Sequence, residues 1–193
     1  MDVRRIKRPT WNVAPDRAQG EVFTVGHSNG SLEDFVSLLK DHEVEVLIDT
    51  RSQPYSRYSP QFNHTVLSHV LDEKGIRYCY LGDRLGGRPP GKEFYGPKQE
   101  VLYKRVAEHP FYQEGIEELL HEVLRHTVCI LCSEEDPTKC HRRLLVGKTL
   151  VSLGFEVKHI RRSGVVETEE EVDARERREN PLLNQLTFSF DDH

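Results

Sequence analysis

The sequence predicts a single α/β domain, a three-layer sandwich around a mostly parallel, five-stranded, Rossmann-like sheet. Short runs rich in β-branched and aromatic residues alternate with amphipathic helical segments, which is typical of repeated βα units. One of these runs, residues 127–132, is apolar throughout, as expected for a central parallel strand that is covered on both faces. A chain of 193 residues suits one such domain with short extensions.

The elements follow one another in a regular order. A strand at residues 22–25 ends at Gly26, and Ser31 then begins a helix with apolar residues on one side. The second strand, residues 44–48, leads through a polar loop to a helix that ends at Gly75. The later elements are a strand at 76–81, a Gly- and Pro-rich stretch at 82–97, a helix at 111–126, the apolar strand at 127–132, a helix at 141–153 and a strand at 155–160.

We expect the strand order 3-2-1-4-5, since this order brings the carboxyl ends of strands one, two and four together. Ligands of open parallel sheets bind beyond the carboxyl ends of the strands. The polar loops after these three strands are therefore expected to share one crevice.

The chain divides into an extended lead-in at residues 1–20, the α/β domain at 21–161 and a charged extension at 162–193. Within the extension, residues 167–179 fit either a solvated helix or an unstructured segment, and an apolar run follows at 182–190. The net charge is -5, and residues 161–193 account for -4 of it with five Arg against nine Asp and Glu. The rest of the chain is nearly neutral, which permits a local basic pocket but does not indicate a nucleic-acid partner.

Composition also limits the cellular setting. No run approaches the roughly 20 apolar residues that cross a bilayer, and the basic first residues lack the apolar stretch of a secretory signal. Four cysteines in a chain of this size indicate reduced thiols rather than a disulfide framework. We therefore predict a cytoplasmic protein with no membrane partner, and neither a cofactor nor an oligomeric state is indicated.

Polar residues concentrate after the first three strands, where arginines and glycines suit an anion such as a phosphate. The alternatives are an ordinary turn for the glycines and local ion pairs for the arginines. The candidate binding residues here are Gly26, Ser28, Asn29, Asp49, Arg51, Arg57 and Arg88, with His27 as a candidate catalytic residue. We expect Arg51, Arg142 or Arg143 to point into the crevice with His27 and Asn29, and Arg51→Ala to weaken ligand binding with little loss of fold.

The fourth strand is followed by the most informative segment, residues 132–143. Cys132 ends the strand, and Cys140 is expected near a helix amino terminus, which lowers a thiol pKa. Either thiol is a candidate nucleophile, with a slight preference for Cys140, and His141 is a candidate proton carrier. The alternative is that Cys132 and Cys140 are small core residues. Glu134, Arg142 and Arg143 complete the candidate binding residues.

A zinc site is the weaker interpretation of this segment. Cys132, Cys140, His141 and His27 have the right ligand types, but the spacing of the two cysteines is not that of a zinc finger or ribbon. No metal is therefore predicted.

Taken in order along the chain, several motifs resemble the domain of unknown function 488 family. The resemblance runs from about Glu21 to Arg161 and implies an α/β domain with a site but no known reaction. The motifs are Thr24–Asn29, Asp49–Ser52 with Pro54 and Ser56–Arg57, Pro60–Asn63, Leu81 with Gly86–Arg88, and Cys132–Glu134 followed by Cys140–Arg143.

Three functions stay open from the sequence. The first is a cysteine- or histidine-dependent enzyme, a hydrolase or transferase, that acts on a phosphate-bearing substrate such as a nucleotide or nucleic acid. The second is a non-catalytic sensor that binds a nucleotide or another anion in the same pocket. The third is a redox or metal module using Cys132 and Cys140, which requires the two sulfurs to lie close together.

Overall fold

The computed structural model describes residues 20–179, which form one mixed sheet of six strands with helices on both faces. The predicted α/β class and the mostly parallel sheet are confirmed. The lead-in at residues 1–19 and the apolar run at 182–190 lie outside the described residues. Within the described range, no helix is both long enough and apolar enough to cross a bilayer.

The strands are short and most of the helices lie between them. The strands are β1 Glu21–Gly26, β2 Val46–Asp49, β3 Arg77–Tyr80, β4 Val128–Cys132, β5 Glu156–Ile160 and β6 Val166–Thr168. The helices are α1 Leu32–Asp41, α2 His64–Glu73, α3 Gly82–Leu85, α4 Tyr103–Ala107, α5 Pro110–Val123, α6 Lys148–Ser152 and α7 Glu169–Glu179. Short 3₁₀ turns span Pro60–Phe62, Lys92–Phe94 and Pro137–Lys139, and the π-helical segment Arg142–Gly147 runs directly into α6.

The strand order is β3-β2-β4-β1-β5-β6, so the predicted order 3-2-1-4-5 is wrong. Strand β4 lies between β1 and β2, and all five of its residues are buried. Val128 and Ile130 pack into the apolar layer on one face of the sheet, whereas Cys129 and Leu131 pack into the layer on the other face. A strand that is apolar on both sides is stabilised most at the centre of a sheet. The carboxyl ends of β1, β2 and β4 are nevertheless adjacent, as expected.

Two apolar layers hold the sandwich together. Helices α1 and α2 cover one face, with Phe35, Leu39 and Leu67 fully or almost fully buried. Helices α3 to α6 cover the other, and the central part of α5 buries Ile116 and Leu119. Because the sheet is fixed between these layers, its strand ends are rigid supports for the loops that follow them.

Part of the charged extension packs on the domain. Strand β6 pairs antiparallel with β5, and α7 carries Glu169, Asp173 and Glu176 along the side that meets the buried Arg143. The Arg143 Nε atom lies 2.6 Å from Glu169, its NH1 lies 3.1 Å from Glu176, and its NH2 donates to Asp173. Residues 169–179 are thus a helix held by ion pairs, one of the two structures that the sequence allowed.

This ion-pair cluster should make stability depend on acid pH. Burial opposes ionisation of Glu169, but hydrogen bonds from His159 and Arg143 outweigh it and lower the Glu169 pKa below its usual 4.5. A carboxylate with a lowered folded-state pKa stabilises the fold above its unfolded pKa, and this contribution is lost as pH falls through the folded-state pKa. We expect Glu169→Gln to remove about 1 kcal/mol at neutral pH, because partly exposed ion pairs contribute on that scale.

Urea unfolding from about pH 6 down to about pH 3 checks this prediction. The unfolding free energy of the wild type should fall more steeply with acid than that of Glu169→Gln. Equal acid slopes for the two proteins would contradict it.

Candidate active site

A polar cleft of about 540 Å³ lies beyond the carboxyl ends of β2 and β4. The strand register makes these carboxyl ends level with one another, because Gly26 of β1 pairs with Cys132 of β4, and Asp49 of β2 pairs with Leu131 of β4. The cleft is bordered by the loop after β2, by Gly87 and Arg88, and by the segment from Cys132 to His141. The loops after β2 and β4 share this cleft as expected, but no residue of the loop after β1 is part of its lining.

Three potential nucleophile or proton-carrying groups meet at the floor of the cleft. The ligand atoms of Cys132, Cys140 and His141 all lie within 4.8 Å of one another, and all three residues are buried. The Cys132 Sγ atom is 3.5 Å from Nδ1 of His141. The two sulfurs therefore approach one another, as the redox or metal interpretation requires.

One backbone contact fixes the tautomer of His141. Its Nε2 atom lies 3.0 Å from the carbonyl oxygen of Thr50. A carbonyl oxygen only accepts hydrogen bonds, so Nε2 carries the proton and donates it. In the neutral ring, the lone pair of Nδ1 then points to the Cys132 sulfur, which is the arrangement of an oriented base beside a nucleophile.

The two thiols have opposite pKa shifts. A hydrogen bond from Cys140 is the largest influence on Cys132 and, with backbone N–H groups of Glu134 and Ser133 and the charge of Arg142, lowers its pKa to about 7 despite burial. The pKa of Cys140 is raised, first because its proton is held by Cys132 and then because it is buried. Cys140 follows a 3₁₀ turn and directly precedes the helical segment that begins at His141, and its carbonyl oxygen accepts from the N–H of Leu144 at 3.0 Å. It therefore lies at a helix amino terminus, as the sequence predicted, but this position does not lower its pKa. The geometry favours Cys132 as the reactive thiol.

The loop between the two cysteines is held by one buried arginine. Arg142 donates to the carbonyl oxygens of Glu134 and Glu135, and its Nε lies 3.3 Å from Thr24 Oγ1. Asp136 caps the following turn by accepting from the N–H of Thr138 at 3.0 Å. The loop therefore turns back, and Cys140 lies beside Cys132 at the carboxyl end of β4.

Gly26 is required by this loop. A Cβ atom on Gly26 would lie 1.7 Å from the carbonyl oxygen of Glu134. No side chain fits at that distance, so the glycine permits a close approach of two backbones. Its role in the structure is to seat the cysteine loop against β1.

Arg51, Asp49 and His27 form a second polar cluster beside the thiols. Nε of Arg51 is 2.9 Å from Asp49 Oδ1, its NH2 is 2.5 Å from Asp49 Oδ2, and its NH1 is 3.2 Å from His27 Nε2. Tyr78 donates to the same carboxylate at 2.5 Å. Burial, followed by the nearby charge of Arg51, lowers the His27 pKa to about 4, so His27 accepts from Arg51 as a neutral ring.

Arg51 retains hydrogen-bonding capacity toward the cleft. A guanidinium has five N–H donors, and the contacts with Asp49 and His27 use three of them. Arg51 lines the cleft together with the exposed cations Arg88 and Lys139, against the single carboxylate of Glu134. Among the described residues, cations therefore outnumber carboxylates at the lining, although the charge of Arg51 is paired with the buried Asp49.

Other residues predicted for the site lie elsewhere. Arg142 faces the loop carbonyls and Arg143 faces α7, so neither points into the cleft. Asn29 is exposed and accepts from Arg162 at 3.0 Å. Ser28 lies by a shallower hollow with Arg162, and Arg57 is exposed and is not part of the cleft lining.

Several residues of the site were not predicted from the sequence. They include Thr50, whose carbonyl orients His141, and Lys139, whose charge alone would not distinguish it from other surface lysines. Gly87 is a third, since a Cβ there would lie 2.6 Å from Nδ1 of His141. The Gly-rich stretch was a signal for Gly87, but only the fold shows that it closes on the histidine.

Comparisons with known proteins yield one finding about identity. No curated protein and no solved structure matches the chain. A family model described as "Domain of unknown function DUF488" matches residues 31–148, more than half of the chain. This match includes β2, β4, the cleft loops and all of the cysteine segment, so the chain belongs to the DUF488 family.

Proposed function

We propose that the protein is a thiol-dependent hydrolase or transferase in which Cys132 attacks a phosphate-bearing substrate held in the cationic cleft. The observation that carries the proposal is the pairing of Cys132 with an oriented His141, 3.5 Å from sulfur to Nδ1. A nucleophile next to a base that is itself oriented by a third group is typical of covalent catalysis. Here the third group is the Thr50 carbonyl.

The chemistry follows from the positions of the protons. The Cys132 thiol gives its proton to Nδ1 of His141, and the thiolate forms a bond to the electrophilic centre of the substrate. The bond to the leaving oxygen breaks, and that oxygen takes the proton from Nδ1. Water or another acceptor then displaces the sulfur, with His141 accepting its proton, and the thiol is restored.

The cleft charges supply the substrate preference. Arg51, Arg88 and Lys139 outnumber Glu134 at the lining, and guanidinium groups bind phosphate oxygens through paired hydrogen bonds. Arg51 is held by Asp49 and His27, so its side chain loses little conformational freedom when an anion binds to its remaining N–H groups. The proposed substrate therefore presents a phosphate within reach of Cys132.

Protection from alkylation tests the proposal with inorganic pyrophosphate as the probe. Pyrophosphate should slow the reaction of iodoacetamide with Cys132, as followed by peptide mapping. In the double variant Arg88→Ala with Lys139→Ala, the pyrophosphate concentration that gives half of the protection should rise at least about tenfold, because each charge-assisted contact contributes about 1.5 kcal/mol or more. Arg105→Ala, which changes an exposed arginine outside the cleft lining, is the matched control.

Two results would contradict the proposal. If pyrophosphate left the rate of Cys132 alkylation unchanged, the proposed anion site would be wrong. Equal protection in the double variant and in Arg105→Ala would show that general ionic strength, and not the cleft, is responsible.

A further inference from the structure

We propose that Cys132, Cys140 and His141 also form a binding site for a zinc-class divalent cation, with a fourth position open to the cleft. Two thiols and an imidazole are ligands that zinc prefers. The three groups lie within 4.8 Å of one another and border the cleft. The site is independent of whether the protein catalyses a reaction.

The distances fit tetrahedral coordination. With bond lengths of about 2.3 Å to sulfur and about 2.05 Å to nitrogen, a tetrahedral site separates a sulfur from a nitrogen ligand by about 3.6 Å and two sulfurs by about 3.8 Å. The Cys132 Sγ atom is 3.5 Å from His141 Nδ1. Cys140 Sγ lies within 4.8 Å of both atoms, so the third ligand is close to the separations that a tetrahedral site requires.

The surroundings of the ligands favour the same assignment. Nε2–H of His141 donates to the Thr50 carbonyl at 3.0 Å, which leaves Nδ1 free for a metal, and histidine ligands usually donate their second N–H in this way. The backbone N–H of Arg142 lies 3.5 Å from Cys140 Sγ, and backbone N–H groups of Ser133 and Glu134 donate to Cys132. Hydrogen bonds of this kind stabilise thiolates, the form in which cysteine binds metal.

The fold explains why sequence spacing did not indicate this site. The cysteines are not arranged as in a zinc knuckle, since one ends a strand and the other follows a 3₁₀ turn. Arg142 fixes the loop that brings them together. The ligand set is thus assembled by the loop geometry.

Three protein ligands and one open position are typical of zinc sites that accept an external ligand. The open position here faces the cationic cleft, so water or an anionic ligand is its expected occupant. If the proposed function holds, bound zinc takes both the Cys132 thiolate and the His141 lone pair. Zinc then inhibits the enzyme.

The test uses the full chain, reduced with a phosphine and freed of metal with a chelator. One equivalent of Co²⁺ should give the intense visible bands of a tetrahedral site and a thiolate-to-cobalt charge-transfer band, and Zn²⁺ should abolish both. Cys132→Ser, Cys140→Ser and His141→Gln should each weaken Zn²⁺ binding by at least about 10- to 100-fold, since even outer contacts of a metal ligand have effects on that scale. Cys79→Ser, outside the cluster, should bind as the wild type does.

A second measurement does not depend on variants that fold. In the wild type, Zn²⁺ should protect Cys132, but not Cys79, from alkylation, and should also protect Cys140 at the higher pH where that thiol reacts in the metal-free protein. Absence of tetrahedral cobalt bands, or protection of neither cluster cysteine, would overturn the metal site. Zinc binding without any reactive thiol in the metal-free protein would support the metal site while contradicting the proposed function, so the two failures are distinguishable.

Discussion

Replacing Arg51 by methionine is expected to lower the free energy of unfolding by about 3–5 kcal/mol, the scale of breaking a buried ion pair. Asp49 is fully buried and Arg51 is only 4% exposed. The guanidinium donates to both carboxylate oxygens of Asp49. Without it, the carboxylate is left buried without its cation, and the hydrogen bonds from Tyr78 and from the backbone N–H of residue 51 do not compensate for the lost hydration.

Chemical unfolding in urea measures this effect, with Arg88→Met as the matched control. Arg88 is an exposed cation of the same cleft, and its loss should change stability by less than about 0.5 kcal/mol. The double variant Arg51→Met with Asp49→Asn should recover part of the loss, because it removes the unpaired charge. If Arg51→Met were as stable as Arg88→Met, the interpretation of Arg51 as a structural cation would be wrong.

The buried ion pair also changes an expectation from the sequence. There, Arg51→Ala was expected to weaken ligand binding with little loss of fold. The structure gives Arg51 a structural role, since three of its donors hold Asp49 and His27, and two donors are left for the proposed ligand. Ligand-binding tests of Arg51 variants therefore need a stability measurement beside them.

Cys140→Ala is expected to slow alkylation of Cys132 at pH 7 by at least about tenfold. The hydrogen bond from Cys140 is the largest cause of the lowered Cys132 pKa, which is about 7 against the usual 9.0. A full return to 9.0 would reduce the thiolate fraction at pH 7 from about one half to about one hundredth. Because the backbone N–H donors stay in place, the pKa of Cys132 should return only part of the way. We therefore expect a decrease in rate of at least about tenfold, which is smaller than the decrease for a full return.

Peptide mapping after a timed reaction with iodoacetamide provides the measurement. Cys79→Ala serves as the control, since Cys79 lies on β3 and outside the cluster. An unchanged rate at Cys132 in Cys140→Ala would show that its sulfur does not depend on Cys140. The support for a coupled thiol pair would then be lost.

The sequence predicted the elements of this fold better than their arrangement. Periodicity located the first five strands, because burial on one or both faces leaves a local pattern. The order of the strands depends on which of them is best covered on both sides. The apolar run at residues 127–132 carried that information, but the prediction placed the consecutive strands β1 and β2 side by side and left β4 beyond them.

For the candidate site, too, the sequence predicted the residues better than their arrangement. Cys132, Cys140 and His141 were chosen from their residue types and their place after a strand, and the structure brings the three together. Arg142 and Arg143 had the same signals but face the loop carbonyls and α7. Adjacent arginines point in different directions, and nothing local in the sequence distinguishes them. The contribution of the Thr50 carbonyl was not predictable, since any residue supplies one.

The pH dependence of Cys132 alkylation in the reduced, metal-free full chain tests the central claim most directly. A nucleophilic thiol reacts as the thiolate, so its rate rises with pH through its pKa. We expect a midpoint near pH 7 at Cys132, with Cys140 reacting only at much higher pH because its pKa is raised. If Cys140 reacted first, or if both thiols reacted only after denaturation, Cys132 would not be the reactive centre of this protein.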